Sequence, residues 1–406
     1  MSAKPVIIVG GGIGGLAAAV ALSRIGLPSL VMERASELGE IGAGLQLGPN
    51  AFRALDILGV LEQVSANAVF VEDFVMMDAV SSEPVFRLEF GEEFRDRFRY
   101  RYAVAHRADL HQALLRACEA SDAVAFATSA TVTDVRQTGD DVYVATADGE
   151  EVAGCAVIGA DGLWSCVRQR IVGDGRPRVS GHVAYRAVVP ADTVPQDMRW
   201  NSSSIWVGPR THFVHYHLRG GDLYNIVATF DSDQYIEGWN ERGDRDEILA
   251  AFADFPAGPK SVLELPTDWR RWVLCDRDPI ERWSDGRITL LGDAAHPMLQ
   301  YYAQGAAMAL EDAICLAAEI ERAARNFETA FQAYQHNRFM RTGRVQLTAR
   351  FIGDWIFHAS GVQRLLRNET LGARTRQEFY DGFRWLYGYE LPQLSGAADG
   401  GVRMCG

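Results

Sequence analysis

Residues 5–33 read PVIIVGGGIGGLAAAVALSRIGLPSLVME. The apolar run Val6 to Val9 meets Gly10-x-Gly12-x-x-Gly15. An alanine-rich stretch, Leu16 to Ile25, follows, Gly26 stops it, and a second apolar run ends at Glu33. The first run suits a strand buried on both faces, the second stretch a helix, and together they open a βαβ unit. In that setting Gly10 permits a tight turn, Gly12 lets backbone approach a pyrophosphate, and Gly15 lets helix and strand pack closely. The helix N-terminus offers free N–H groups to phosphates, and Glu33 is placed to accept hydrogen bonds from ribose hydroxyls. The motif indicates a dinucleotide without separating a nicotinamide from a flavin.

Around this unit lie 406 residues, 48% hydrophobic, enough for two packed domains or one with insertions. With 40 basic and 53 acidic residues the net charge is −13, which argues against nucleic acid as a partner. Cys118, Cys155, Cys166, Cys275, Cys315 and Cys405 are scattered without a CxxC pair. They read as thiols in a reducing cytoplasm, and no metal is expected. The most apolar stretch, Val6 to Leu22, is broken by five glycines and reads as neither a membrane span nor a leader.

Helices are expected over Asn50–Gln63 and Ala108–Ala120, and strands on either side of the turn Gly139-Asp140-Asp141. Buried strands are expected at Cys155–Ala160 and Arg287–Leu291. Between 179 and 276, short alternating runs separated by turn signals predict a mainly antiparallel sheet. A long helix opens at Gly305. The expected fold class is therefore α/β. A Rossmann-like nucleotide-binding domain (1–178 and 277–330) is interleaved with an antiparallel-sheet substrate domain (179–276). A C-terminal helical region (331–393) and a disordered tail (394–406) follow.

Three further segments carry chemistry. They are His106-Arg107-Ala-Asp109-Leu110, Val157-Ile-Gly-Ala-Asp161-Gly162-Leu-Trp-Ser165-Cys-Val-Arg168, and Arg287-Ile-Thr-Leu-Leu-Gly292-Asp293-Ala-Ala-His296-Pro297. In content, order and interval they resemble the conserved segments of the single-component FAD-dependent aromatic hydroxylases (group A flavoprotein monooxygenases), and the resemblance covers nearly the whole chain. It implies a tightly bound FAD, with Asp293 on its ribityl or ribose hydroxyls, Arg107 on cofactor oxygens, and Asp161 beside it. The helix opening at Gly305 would aim the N–H groups of Ala306 and Ala307 at the flavin N1–C2=O edge, where its dipole favours negative charge. Only one GxGxxG is present, so NADH is expected as a transient co-substrate with no nucleotide domain of its own.

Gly208 to His217 reads as a strand, with His212, Val214 and Tyr216 on one face and Phe213, His215 and His217 on the other. His212-x-x-x-Tyr216 combined with Leu299-Gln300-Tyr301 resembles the members of that family that hydroxylate 3-hydroxybenzoate para to its hydroxyl, giving 2,5-dihydroxybenzoate (gentisate). The resemblance implies His212 as the base for the phenolic proton, Gln300 as a hydrogen-bond partner of the same oxygen, and Tyr216 as an orienting group, with Leu47 and Tyr102 lining the pocket. An imidazole suits proton removal near neutral pH. His215, His217 and His296 read as structural. Salicylate or 6-hydroxynicotinate hydroxylation, a non-oxygenating flavin reductase and a non-catalytic FAD scaffold are the alternative readings. The expected partners are a small aromatic acid and O2. The aromatic cluster Phe379, Tyr380, Phe383, Trp385, Tyr387 and Tyr389 either packs inward or seals a homodimer.

Overall fold

The computed structural model describes residues 4–39, 43–232 and 241–395. Five parallel strands form its first sheet in the order Ile288–Leu290, Ala156–Gly159, Val6–Val9, Ser29–Met32, Val124–Ala127, with the short antiparallel strand Ser284–Asp285 at one edge. Every residue of Val6–Val9 and of Ala156–Gly159 is buried, as a continuous apolar run between two covered faces requires. Helix Ile13–Arg24 packs against helices Arg107–Glu119 and Gly305–Arg322. The turn entering it needs glycine. Gly10 has φ +108°, and a Cβ there would lie 2.4 Å from the Ala160 carbonyl oxygen. A Cβ on Gly15 would lie 1.9 Å from the Gly10 oxygen.

The second sheet has eight strands in the order Glu241–Arg242, Arg270–Asp276, Arg178–Pro190, Leu223–Asp231, Thr211–Leu218, Ser202–Gly208, Asp73–Asp78, Pro84–Glu89. It is antiparallel except where Ser202–Gly208 runs parallel to Asp73–Asp78. One face holds a separate core of Tyr185, Trp206, Phe213, Ile226 and Phe230, covered by Ile248, Phe252 and Val262 of two short helices. The opposite face carries His212, Val214 and Tyr216 toward a cavity. The alternation expected for this strand is therefore observed.

Three expected features differ in the structure. Residues 73–89, read with the first domain, complete the edge of the eight-stranded sheet. Their partner strand begins at Ser202, whose hydroxyl donates a hydrogen bond to the Asp73 carboxylate. No local pattern announces so distant a pairing. The helix expected over 50–63 is two helices, Pro49–Ile57 and Leu61–Asn67, because Gly59 turns to φ +69°. Of the expected tail, Leu394 is buried, and 396–406 lie outside the described residues.

The C-terminal helices are Phe327–Phe351, Gly361–Gly372 and Arg376–Tyr387. The first begins at an Asn326 cap that accepts from the Thr329 N–H at 3.1 Å. It continues into a π-helical turn, Ile352–Phe357, a rare form that is frequent at functional sites. Tyr380 and Tyr387 are buried against Phe94 and Phe98, and buried Phe379 stacks on Phe86, while Phe383, Trp385 and Tyr389 pack partly buried against the same core. Among the described residues no helix is long and apolar enough to cross a membrane.

Candidate active site

A cavity of about 1220 Å³ runs from the Gly10–Gly15 turn to the face of the eight-stranded sheet. It exceeds the ~300–1,000 Å³ of a typical single-ligand pocket. It lies beyond the carboxyl ends of the parallel strands, where open α/β sheets bind ligands.

At one end the wall is glycine backbone and ribose-type acceptors. Gly12, Gly14, Glu33, Arg107, Gly292, Asp293, Gly305 and Ala306 all line it. Glu33 closes the turn, accepting from the Gly11 N–H at 2.7 Å and the Ala35 N–H at 2.9 Å. Gly10 and Gly15 shape the turn from behind the wall, and Ala307 is buried beneath it. Asp161 does not line the cavity. Its carboxylate accepts the Ser165 hydroxyl at 2.5 Å and the Cys166 N–H at 2.8 Å, so it orders the start of helix Cys166–Ile171. Arg168, buried, ties that helix to the Gly292 segment by donating to the Ala294 and Ala295 carbonyls at 3.1 and 2.7 Å.

Helix Gly305–Arg322 is held in place by buried ions that the sequence reading did not anticipate. Arg338 pairs with Glu311 at 2.8 Å and Asp312 at 2.7 Å, and Arg341 pairs with Glu311 at 2.7 Å. Asp312 also takes the His296 Nε2 contact at 2.5 Å and the Gly292 N–H at 3.1 Å. Burial acts to raise both carboxyls, but the arginines, with His296 at Asp312, outweigh it and hold them below the ordinary carboxylate range. His296 is buried against Asp312 and does not line the cavity. A glycine cradle, a ribose acceptor and a helix N-terminus fixed beside Asp293 fit a flavin dinucleotide lying along this wall.

At the other end the groups are polar but fewer. His212, Tyr216, Gln300, Tyr102 and Arg186 line the cavity. Tyr102 donates to Gln46 Oε1 at 2.6 Å. Leu47 is instead fully buried in the core at the end of its strand, and its neighbours Leu45 and Gln46 line the wall. The Gln300 amide donates to Thr229 Oγ1 at 3.1 Å, and its oxygen accepts from Arg186. Arg186 is largely buried, and among the described residues it pairs with no carboxylate; its guanidinium lies 5.3 Å from the Trp272 ring centroid. Burial lowers it to about 10. The hint of it in the sequence is an arginine inside the apolar run Val183 to Pro190. His212 Nδ1 lies 2.7 Å from His358 Nε2. Burial, with His182 nearby, pushes the His212 imidazole down to about 3, so a proton accepted there does not rest there. Tyr216 is buried beneath Gly44, where a Cβ would come within 2.7 Å of its hydroxyl.

The model of the FAD-binding-domain family matches residues 3–346. The chain belongs to this family. FAD is its cofactor, and the glycine wall has the chemistry to hold it. Over 95% of its length the chain is 49% identical to 3-hydroxybenzoate 6-hydroxylase of Klebsiella oxytoca, covering 96% of that protein. It is 46% identical to 3-hydroxybenzoate 6-hydroxylase 1 of Aquipseudomonas alcaligenes, over 95% of this chain and 98% of that one. In fold, this FAD-binding protein is similar to Klebsiella pneumoniae HpxO complexed with FAD and uric acid. The TM-score is 0.83 at 24% identity, over 93% of this chain and 95% of that one.

Proposed function

We propose that this flavoprotein uses NADH and O2 to hydroxylate 3-hydroxybenzoate para to its hydroxyl, forming 2,5-dihydroxybenzoate. The observation that carries the reading is the convergence of His212, Tyr216 and Gln300 on one end of a cavity whose other end is built for FAD. The names of the relatives support the same substrate. Bound FAD, reduced by the nicotinamide, supplies an electrophilic oxygen derived from O2.

The chain's own residues then make the ring electron-rich and hold it still. Removing the phenolic proton raises electron density at the ortho and para carbons. His212 Nε2, the ring nitrogen not engaged by His358, takes that proton. Gln300 holds the phenolic oxygen through its amide N–H, and its own oxygen is anchored by Arg186. Arg186 supplies positive potential to an anionic ring in a site of low polarity. Tyr216 and Tyr102 fix the plane of the ring, and the apolar wall excludes water. The same reading makes the protein a cytoplasmic homodimer. The exposed apolar residues Met340, Leu347 and Phe351 offer its second copy a surface.

Supplying 3-hydroxybenzoate, NADH and air should yield 2,5-dihydroxybenzoate, identified by ring position. Salicylate or 6-hydroxynicotinate turned over in preference would replace the substrate. His212→Ala should keep its flavin but lose hydroxylation by about 10²–10⁴-fold, the scale of a lost acid–base group, with NADH oxidation running on to H2O2. Full yield from that variant would remove His212 as the base.

A further inference from the structure

Behind His212 the polar contacts continue away from the cavity. His358 Nε2 faces His212 Nδ1 at 2.7 Å, and His358 Nδ1 faces His182 Nε2 at 3.1 Å. The same His182 nitrogen lies 3.2 Å from Asp231 Oδ1. The three imidazoles are buried, whereas Asp231 is a quarter exposed and its other oxygen accepts from the exposed Arg210 at 2.6 Å. The row therefore starts at the cavity and ends at the partly exposed Asp231, whose Oδ1 facing His182 is itself buried. Four segments supply it: strands Arg178–Pro190, Thr211–Leu218 and Leu223–Asp231, and the residue directly after the π-helical turn. Tyr301, next to Gln300, closes the far side of His182, its hydroxyl 2.6 Å from His182 Nδ1. Its ring is pressed against Gly353, where a Cβ would sit 2.4 Å away.

We propose that His358 and His182 form a proton relay that carries the substrate's phenolic proton from His212 to Asp231 at the protein surface. This rests on the reading of His212 as the base. Each ring begins with its proton on Nδ1. The phenolic O–H bond breaks as an N–H bond forms at His212 Nε2. His212 passes its Nδ1 proton to His358 Nε2, and His358 passes its own Nδ1 proton to His182 Nε2. That proton leaves through Asp231 to water. His212 and His358 end neutral with their protons on the other nitrogen, His182 returns to its starting form, and the phenolate stays in the cavity.

The relay explains how so weak a base can act. Burial disfavours a charged imidazole at His212 and at His358, so neither stores the proton. His182 is the member in contact with a carboxylate. The charged and titratable groups around it are Asp231 with Arg210, His358, Tyr301 and, beyond Tyr301, Asp354 and Asp276. Asp276 is neutralised by Arg178 and Arg350. Asp231 is therefore the exit.

The test uses the full-length FAD-loaded enzyme, oxidised and without NADH, mixed with 3-hydroxybenzoate in weak buffer containing a pH indicator. Wild type should release a proton on binding. His358→Gln should slow that release at pH 7 by about 10²-fold, the scale of a lost proton-transfer partner. Its hydroxylation coupling should be low at pH 7 and recover toward pH ~10, where phenols ionise unaided. Flavin content should stay unchanged. Asp231→Asn, which keeps the shape, should slow release in the same direction and serves if His358→Gln does not fold. Wild-type release and pH profile in the variant that folds would overturn the relay, as would no release by wild type. A stoichiometric metal ion on His182 and His358 would also overturn it, since it would occupy their lone pairs. If His212→Ala is inactive while His358→Gln behaves as wild type, the relay alone falls. If His212→Ala is fully active, the base assignment falls with it.

Discussion

The two ends of the cavity are built on different physics. The cofactor end rests on backbone that tolerates no side chain, and on full charges locked in pairs. The turn at Gly10 and Gly15 has no room for a Cβ, and Arg338, Arg341, Glu311 and Asp312 neutralise one another behind helix Gly305–Arg322. The substrate end rests on the buried imidazoles of His212 and His358, which burial keeps neutral, and on the Gln300 amide, with Arg186 beside it at the cavity wall. The first arrangement holds a permanent ligand in one geometry. The second leaves protons free to move between neutral partners. A cofactor must stay, and a phenolic proton must go.

The contrast can be broken at either end. The largest effect is expected from Gly15→Ala, because the added methyl would sit 1.9 Å from a backbone oxygen. Flavin-loaded protein should be lost outright, and a yellow, monodisperse variant would show that the turn can relax. Next is Arg338→Met, which leaves two buried carboxylates short of a partner. It should cost about 3–5 kcal/mol in urea unfolding, and a loss under 1 kcal/mol would mean that Arg341 and His296 suffice. The smallest effect separates the ends by pH. His212 and His215 are pushed down to about 3 and His358 lies well below its ordinary value, so all three bind protons more readily unfolded than folded. Their contribution is complete above about pH 6.5 and is lost as pH falls below it. Glu311 and Asp312, held low when folded, begin to lose theirs only below about pH 4.5. The urea midpoint should therefore fall between pH 7 and pH 5, and fall less in His358→Gln. A flat wild-type midpoint over that range would contradict neutral burial of the histidines.

Legibility follows the same divide. The glycine turn, Glu33 and the strand face carrying His212 and Tyr216 are local. A turn needs its glycines within six residues, and strand alternation has a period of two, so both can be read without knowing what packs against them. Asp161 shows the limit of a motif. The residue stands where expected, yet its carboxylate is spent on Ser165 and Cys166 of its own loop. Leu47 shows the limit of a position read without its packing, since it is buried in the core while Leu45 and Gln46 line the wall.

The amino-acid sequence by itself determined the α/β class, the dinucleotide turn and the pairing of His212 with Tyr216, because each depends on neighbours a few residues apart. Only the tertiary structure decided that residues 73–89 join the second sheet, that Arg186 anchors Gln300, and that His358 stands behind His212. Those contacts join positions 129, 114 and 146 residues apart. No short-range pattern encodes them, because burial and close packing of the whole chain bring them together.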